Sequence, residues 1–223
     1  MSAPLRLVLF DVDGTLVDSQ GSIVHAMTAS FQAASVAAPD REAILSIVGL
    51  SLPHAMACLA PDQSTSVQEV LVEGYKQAYY AHRKELGAAS SPLYPGAREA
   101  IETLHETPEI LLGVATGKSQ RGLDALIEAH GLEQYFVTRQ VADHHPSKPH
   151  PSMVQTALAE TGVSEANAAM IGDTSFDMDM AAAAGVTGIG VSWGYHDNSA
   201  LTAAACVIET FDQLPAALAN VWT

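Results

Sequence analysis

Two aspartates, Asp11 and Asp13, stand two residues apart where the apolar run Leu5–Phe10 ends, and Gly14 follows them. In extended chain, residues i and i+2 point to the same side, so the pair repels and one carboxyl pKa rises. Other polar groups punctuate the chain in a similar way: Thr116-Gly117 in VATGKS, Lys148 in HHPSKPHP, and Asp173 and Asp177 in IGDTSFD. Asp173, at a helix entrance, and Asp177, four residues on, are expected to share a helix face. With Asp11 they place three carboxylates around one position. Magnesium, which takes hard oxygen ligands, resolves the repulsion, and Lys148 balances what remains. A bound cation opens the way to phosphoryl transfer, which needs positioning and charge neutralisation above all. Thr116 and the amides after Gly117 can hold phosphate oxygens, and Lys148 supplies a point charge. An aspartate can act as nucleophile, forming an aspartyl-phosphate, while a second acid moves the proton.

The elements that must carry these groups are legible as alternating strands and helices. Leu5–Phe10, Ile110–Ala115, Ala168–Gly172 and Val186–Val191 read as buried strands, with weaker runs at Tyr135–Val137 and Cys206–Ile208. Ser119–His130, Pro151–Thr161 and Ser175–Ala184 read as helices closed by Gly131, Gly162 and Gly185. Such alternation predicts an α/β fold, a Rossmann-like parallel sheet covered on both faces, with ligands beyond the carboxyl ends of its strands. Between 17 and 87 the pattern is helical throughout, with helices expected at Ser22–Val36, Arg41–Val48, Leu52–Leu59 and Val67–Leu86. Breaker-rich stretches, DSQGS and GAASSPLYPG, bracket it. The expected organisation is therefore a core of 1–16 and 88–223 with a helical cap, 17–87, inserted after the first strand.

Charge narrows the partners. The 223 residues carry 10 basic and 25 acidic side chains, a formal charge of −15, which argues against nucleic acid and against anionic membranes. An anionic small molecule stays compatible if local cations reverse the field. No stretch reaches the roughly 18 apolar residues of a membrane span. Cys58 and Cys206 lie far apart without a metal-type pattern, and are expected as thiols in a reducing, cytoplasmic setting. Composition says nothing of oligomeric state.

DVDGT, the threonine after an apolar strand, the lysine before PHP, and GDTSFD occur in the order of the four motifs of the haloacid dehalogenase superfamily. From Leu5 to about Gly190 the chain resembles the phosphatase branch with a helical cap between the first two motifs, and is similar to phosphoglycolate phosphatases. The resemblance implies Asp11 as nucleophile, Asp13 as general acid and base, and Thr116, Gly117 and Lys148 on the phosphoryl group. It implies Mg²⁺ on Asp11, the backbone carbonyl of Asp13 and Asp173, with Asp177 a ligand directly or through water. The substrate would be a small phosphorylated metabolite such as 2-phosphoglycolate. Dehalogenases and phosphonate hydrolases of the superfamily lack an aspartate at the position of Asp13; its presence suits an alkoxide leaving group that must be protonated.

Each motif also has a plainer reading. Asp13-Gly14 suits a hairpin turn, Thr116 and Thr174 suit helix caps, and a lone lysine is ordinarily solvated. Their joint fall at strand ends argues against independent coincidences. His144, His145 and His150 do not have zinc spacing and are expected to shape the lysine loop. Trp193 and Tyr195 are expected in a loop beside the site. In the cap, Ser51, His54, Lys76, Tyr79 and Arg83 are the polar groups able to reach a substrate. Rival functions are a phosphomutase of the β-phosphoglucomutase type, a phosphoacceptor receiver domain, and a non-catalytic interaction module.

Overall fold

The computed structural model describes residues 4–222. Six strands, β1 (Arg6–Phe10), β2 (Ile110–Thr116), β3 (Phe136–Val141), β4 (Ala168–Gly172), β5 (Thr187–Val191) and β6 (Cys206–Ile208), form one sheet in the order β3-β2-β1-β4-β5-β6. Every pairing is parallel. Such a sheet is buried on both faces, which is why its strands are continuous apolar runs rather than alternating ones. The strand β1 lies at the centre, bonded to β2 on one side and β4 on the other, and the strand order reverses there. That reversal opens the crevice in which ligands of doubly wound sheets bind.

After β1 the chain makes four helices, α1 (Gln20–Ala33), α2 (Arg41–Ser46), α3 (Leu52–Leu59) and α4 (Thr65–Leu86). They enclose an apolar cluster of their own, with Ile23, Met27, Phe31, Ile44, Met56 and Leu71 at its centre. Asp40 and Ser64 cap α2 and α4 through their side chains. The chain leaves and re-enters the sheet domain through one paired crossing, where Asp18 N donates to Pro92 O and Tyr94 N to Leu16 O, both at 2.9 Å. Val17, inside this crossing, packs with the main core.

The remaining helices cover the sheet. Side chains of α5 (Ala97–His105), α6 (Gln120–His130) and α9 (Leu214–Val221) join Val8 and Phe10 on one face. Those of α7 (Ser152–Thr161) and α8 (Ser175–Ala183) join Leu7 and Leu9 on the other. Several elements differ from expectation: α1 begins at Gln20 and ends at Ala33 instead of running from Ser22 to Val36, and α5 was not among the expected helices. The strand β3 runs well past Val137, because Thr138 and Gln140 are buried by bonding Glu160 Oε2 at 2.6 and 2.8 Å, so polar residues extend an interior strand. The helix α9 had no sequence signal strong enough to be expected. Among the described residues no helix is long and apolar enough to cross a membrane.

Candidate active site

The polar groups gather at the carboxyl ends of β1, β2 and β4, around the reversal point. Asp11 follows β1 directly and is fully buried. Its Oδ1 accepts from Lys148 Nζ at 2.7 Å, and the same ammonium donates to Asp177 Oδ1 at 2.6 Å. Its Oδ2 is buried without a partner. Lys148 is itself only 1% exposed, so the usual reading of a loop lysine as solvated does not apply. Burial opposes its charge, but Asp11 and Asp177 more than compensate and hold its pKa above the ordinary lysine value.

Asp173 and Asp177 come together by a different route from a shared helix face. Asp173 precedes the cap residue Thr174 and lies outside α8. Thr15 Oγ1 donates to its Oδ1 at 3.0 Å, and the backbone N of Tyr195 donates to its Oδ2 at 2.8 Å. Two glycines make room for it: a Cβ at Gly194 would stand 2.0 Å from Asp173 Cβ, and one at Gly14, where φ is +89°, 2.2 Å from Asp173 Oδ2. Asp177 is the third residue of α8, and its Oδ2 accepts from Thr174 N at 3.1 Å and Thr174 Oγ1 at 2.7 Å. This reciprocal capping box leaves its Oδ1 for Lys148.

Asp11, Asp173 and Asp177 each offer an oxygen within 4.8 Å of the others. Three carboxylates against one ammonium leave two negative charges in a buried space. Burial pushes the Asp11 carboxyl up to about 7, and burial together with Asp177 and Asp11 raises Asp173 well above the carboxylate range. An all-oxygen donor set and a charge deficit of two fit a hard divalent cation.

Asp13 has a separate set of partners. Lys118 Nζ donates to both its oxygens, at 2.7 and 2.8 Å, and Ser19 Oγ donates to Oδ1. Lys118 also donates to Tyr79 OH of α4 at 3.2 Å. Burial works against the Lys118 charge; Asp13 and Tyr79 outweigh it and raise its pKa. Ser19 N donates to Tyr195 OH at 3.0 Å, and Trp193 Nε1 donates to Thr15 O at 3.1 Å, so the loop 193–195 braces the first motif as well as Asp173. Lys118, Thr15, Ser19 and Gly194 were not singled out from sequence. The available signals were the adjacency of Lys118 to Thr116-Gly117 and the nearness of Thr15 and Ser19 to the aspartate pair.

A cavity of about 650 Å³ lies between sheet and helical segment, and Asp11, Asp13, Thr116 and Gly117 line it, whereas Lys148, Asp173 and Asp177 stand behind Asp11. Thr116 is buried, and its Oγ1 accepts from Lys118 N at 3.3 Å. At Gly117 a Cβ would lie 2.5 Å from Gly49 O and 2.7 Å from Leu50 O, a close approach of the two parts that only glycine allows. Ser51 N donates to Ser147 Oγ at 2.9 Å beside it. Ser51, Lys76, Tyr79 and Arg83 line the cavity; His54 does not. His145 bonds Ser152 Oγ at 2.8 Å and Gln140 Oε1 at 2.9 Å, and so braces the loop that carries Lys148. Among the described residues, His144, His145 and His150 form no metal-type cluster.

Sheet order and acidic centre together define a doubly wound α/β fold with a carboxylate cluster at its switch point. The family model described as haloacid dehalogenase-like hydrolase matches residues 8–191, and the chain belongs to that family. It is 36% identical over 214 residues to the Dickeya dadantii protein named "Probable phosphatase IndB", covering 93% of this chain and 91% of that one. It is 31% identical over 204 residues to the phosphoglycolate phosphatase of Chromobacterium violaceum, covering 89% and 90%. Among solved structures, a hydrolase from Pseudomonas syringae superposes with a TM-score of 0.85 at 25% identity, covering 98% of this chain and 100% of that one.

Proposed function

We propose that the protein is a Mg²⁺-dependent phosphatase that cleaves small phosphomonoesters through an aspartyl-phosphate on Asp11. The observation that carries the reading is the state of Asp11: one oxygen fixed by buried Lys148, the other buried without a partner, on a carboxylate that lines the cavity. Asp11 and Asp173, with the backbone of Asp13, would hold the cation, and Asp177 would hold Lys148 in place while completing the acidic cluster. When bound, the cation would neutralise charge on Asp11 and on the phosphoryl oxygens.

Asp11 Oδ2 attacks phosphorus, the bond from phosphorus to the alcohol oxygen breaks, and Asp13 passes its proton to that oxygen. Water then attacks the same phosphorus, Asp13 takes the proton from it, and inorganic phosphate leaves with Asp11 restored. The grip of Lys118 on both Asp13 oxygens suits this second half. Thr116 Oγ1 and the amide of Gly117, which line the cavity, would orient the phosphoryl oxygens. The segment 17–87 acts as a cap over a core of 1–16 and 88–223, excluding bulk water and contacting the alcohol.

Relatives named phosphoglycolate phosphatase support 2-phosphoglycolate as one substrate to test. Two free thiols and a charge of −15 support a cytoplasmic enzyme of phosphorylated metabolites rather than of nucleic acid or membranes. The test is phosphate release from a panel of phosphomonoesters with and without Mg²⁺. Turnover should require the cation and fall roughly a thousandfold or more in Asp11→Asn. Undiminished turnover in the variant overturns the nucleophile; an isomerised sugar phosphate without free phosphate would identify a mutase.

A further inference from the structure

The cavity is large for a two-carbon acid and is unlike a simple anion site. About 650 Å³ falls within the roughly 300–1,000 Å³ of pockets that enclose drug-sized ligands. The cap is docked around it on two sides: Gly49 and Leu50 touch Gly117, and Tyr79 OH meets Lys118. The volume therefore remains with the two parts in contact. Facing the catalytic carboxylates, the cap presents Ile23, Met27, Val48, Leu50 and Tyr75, a wall that offers an alcohol portion apolar contact.

Charge marks one rim. Four of the ten basic side chains of this acidic chain line the cavity: Lys76, Arg83, Lys118 and Arg121. Lys118 is bound to Asp13 and Lys76 to Glu73 at 2.6 Å. Among the described residues, Arg83 and Arg121 have no carboxylate partner. They come from opposite parts, Arg83 from the last turn of α4 and Arg121 from the first turn of α6, yet both lie against the ring of Tyr80, at 5.7 and 4.5 Å from its centroid. Two like charges gathered on one ring across the seam suit an anion held in a guanidinium fork.

Building on the proposed phosphatase reading, we infer that the preferred substrate is a phosphomonoester with a bulky, largely apolar alcohol portion that ends in a second anionic group bound between Arg83 and Arg121. The phosphate sits at Asp11 and Thr116, the apolar body lies along the cap wall, and the distal anion ties cap to core. 2-Phosphoglycolate would leave most of a cavity of about 650 Å³ unfilled.

Steady-state kinetics with phenyl phosphate, 4-carboxyphenyl phosphate and 2-phosphoglycolate test this, in the wild type and in Arg83→Gln and Arg121→Gln. The carboxylated aryl ester should have the highest kcat/KM. Each substitution should raise its KM about five- to tenfold, the worth of a partly exposed charge-assisted contact, and leave kcat and the KM of phenyl phosphate within about twofold. The inference is overturned if 2-phosphoglycolate has the highest kcat/KM, or if the substitutions move both aryl esters equally or neither. Absence of phosphate release from all three, together with the wider panel, would instead sink the phosphatase reading itself.

Discussion

Lys118 shows how a residue outside the recognisable motifs can govern one inside them. It holds both oxygens of Asp13, so the acid and base of the proposed reaction does not choose its own rotamer. Removing the ammonium in Lys118→Met frees Asp13 from a charge-assisted fork, and hydrogen bonds to charged groups are worth about 1.5–3 kcal/mol. We expect kcat to fall about 10–100-fold with KM changed less than about threefold. Steady-state kinetics on an alkyl phosphomonoester checks it; a raised KM with unchanged kcat would make Lys118 a substrate contact instead. Sequence reading reached Asp11, Asp13, Thr116 and Asp173 because each stands where an apolar run ends, and a polar group at a strand end has few structural duties; Lys148 and Asp177 were reached through their place in the order of the four motifs. It passed over Lys118 and Ser19 because a lysine or serine in a loop is ordinarily solvated, and only the closure of the fold buries them here.

At the scale of elements, glycines set the spacing that lets these groups meet. Asp173 is wedged between Gly14 and Gly194, and in Gly194→Ala the added methyl would stand only 2.0 Å from its Cβ. The side chain or the loop must shift, at a cost of about 1–3 kcal/mol for overpacking. The variant should keep its sheet, lose most of its activity, and show no thermal stabilisation by Mg²⁺; calorimetry with and without the cation reads this directly. A normal Mg²⁺ response would mean that Asp173 is not a ligand. Strands and most helices were legible because burial on both sheet faces makes the strands plain apolar runs and because glycines close the helices. Where burial is achieved by polar pairing, as in Thr138 and Gln140 with Glu160, hydropathy ends the strand too early. The helix α9, eight residues long, is stabilised by packing against the core more than by local signals.

For the whole molecule, the acidic centre links pH, cation and stability. Asp11 titrates near 7 in the fold against an ordinary value of 3.8, and Asp173 shifts in the same direction. A carboxyl whose pKa rises on folding binds more protons in the native state, so this contribution to stability falls as pH climbs from about 4 through about 7. Cations bind the ionised form. Saturating Mg²⁺, at about 100 times its Kd, adds about 2.7 kcal/mol. For a domain of this size that raises Tm by about 5–10 °C. We expect that increase at pH 8 and little of it at pH 5, measured by differential scanning calorimetry; equal shifts at both pH values would place the cation elsewhere.

The hydrogen bond from Thr15 to Asp173 joins positions 158 apart. On a ribosome, the segment carrying Asp11, Gly14 and Thr15 emerges early and the helical segment follows, whereas Gly194 and Tyr195, which complete the setting of Asp173, come almost last. A nascent or prematurely ended chain can fold its helices early and still lack an assembled centre. Completion of the acidic centre therefore waits for the loop that follows β5.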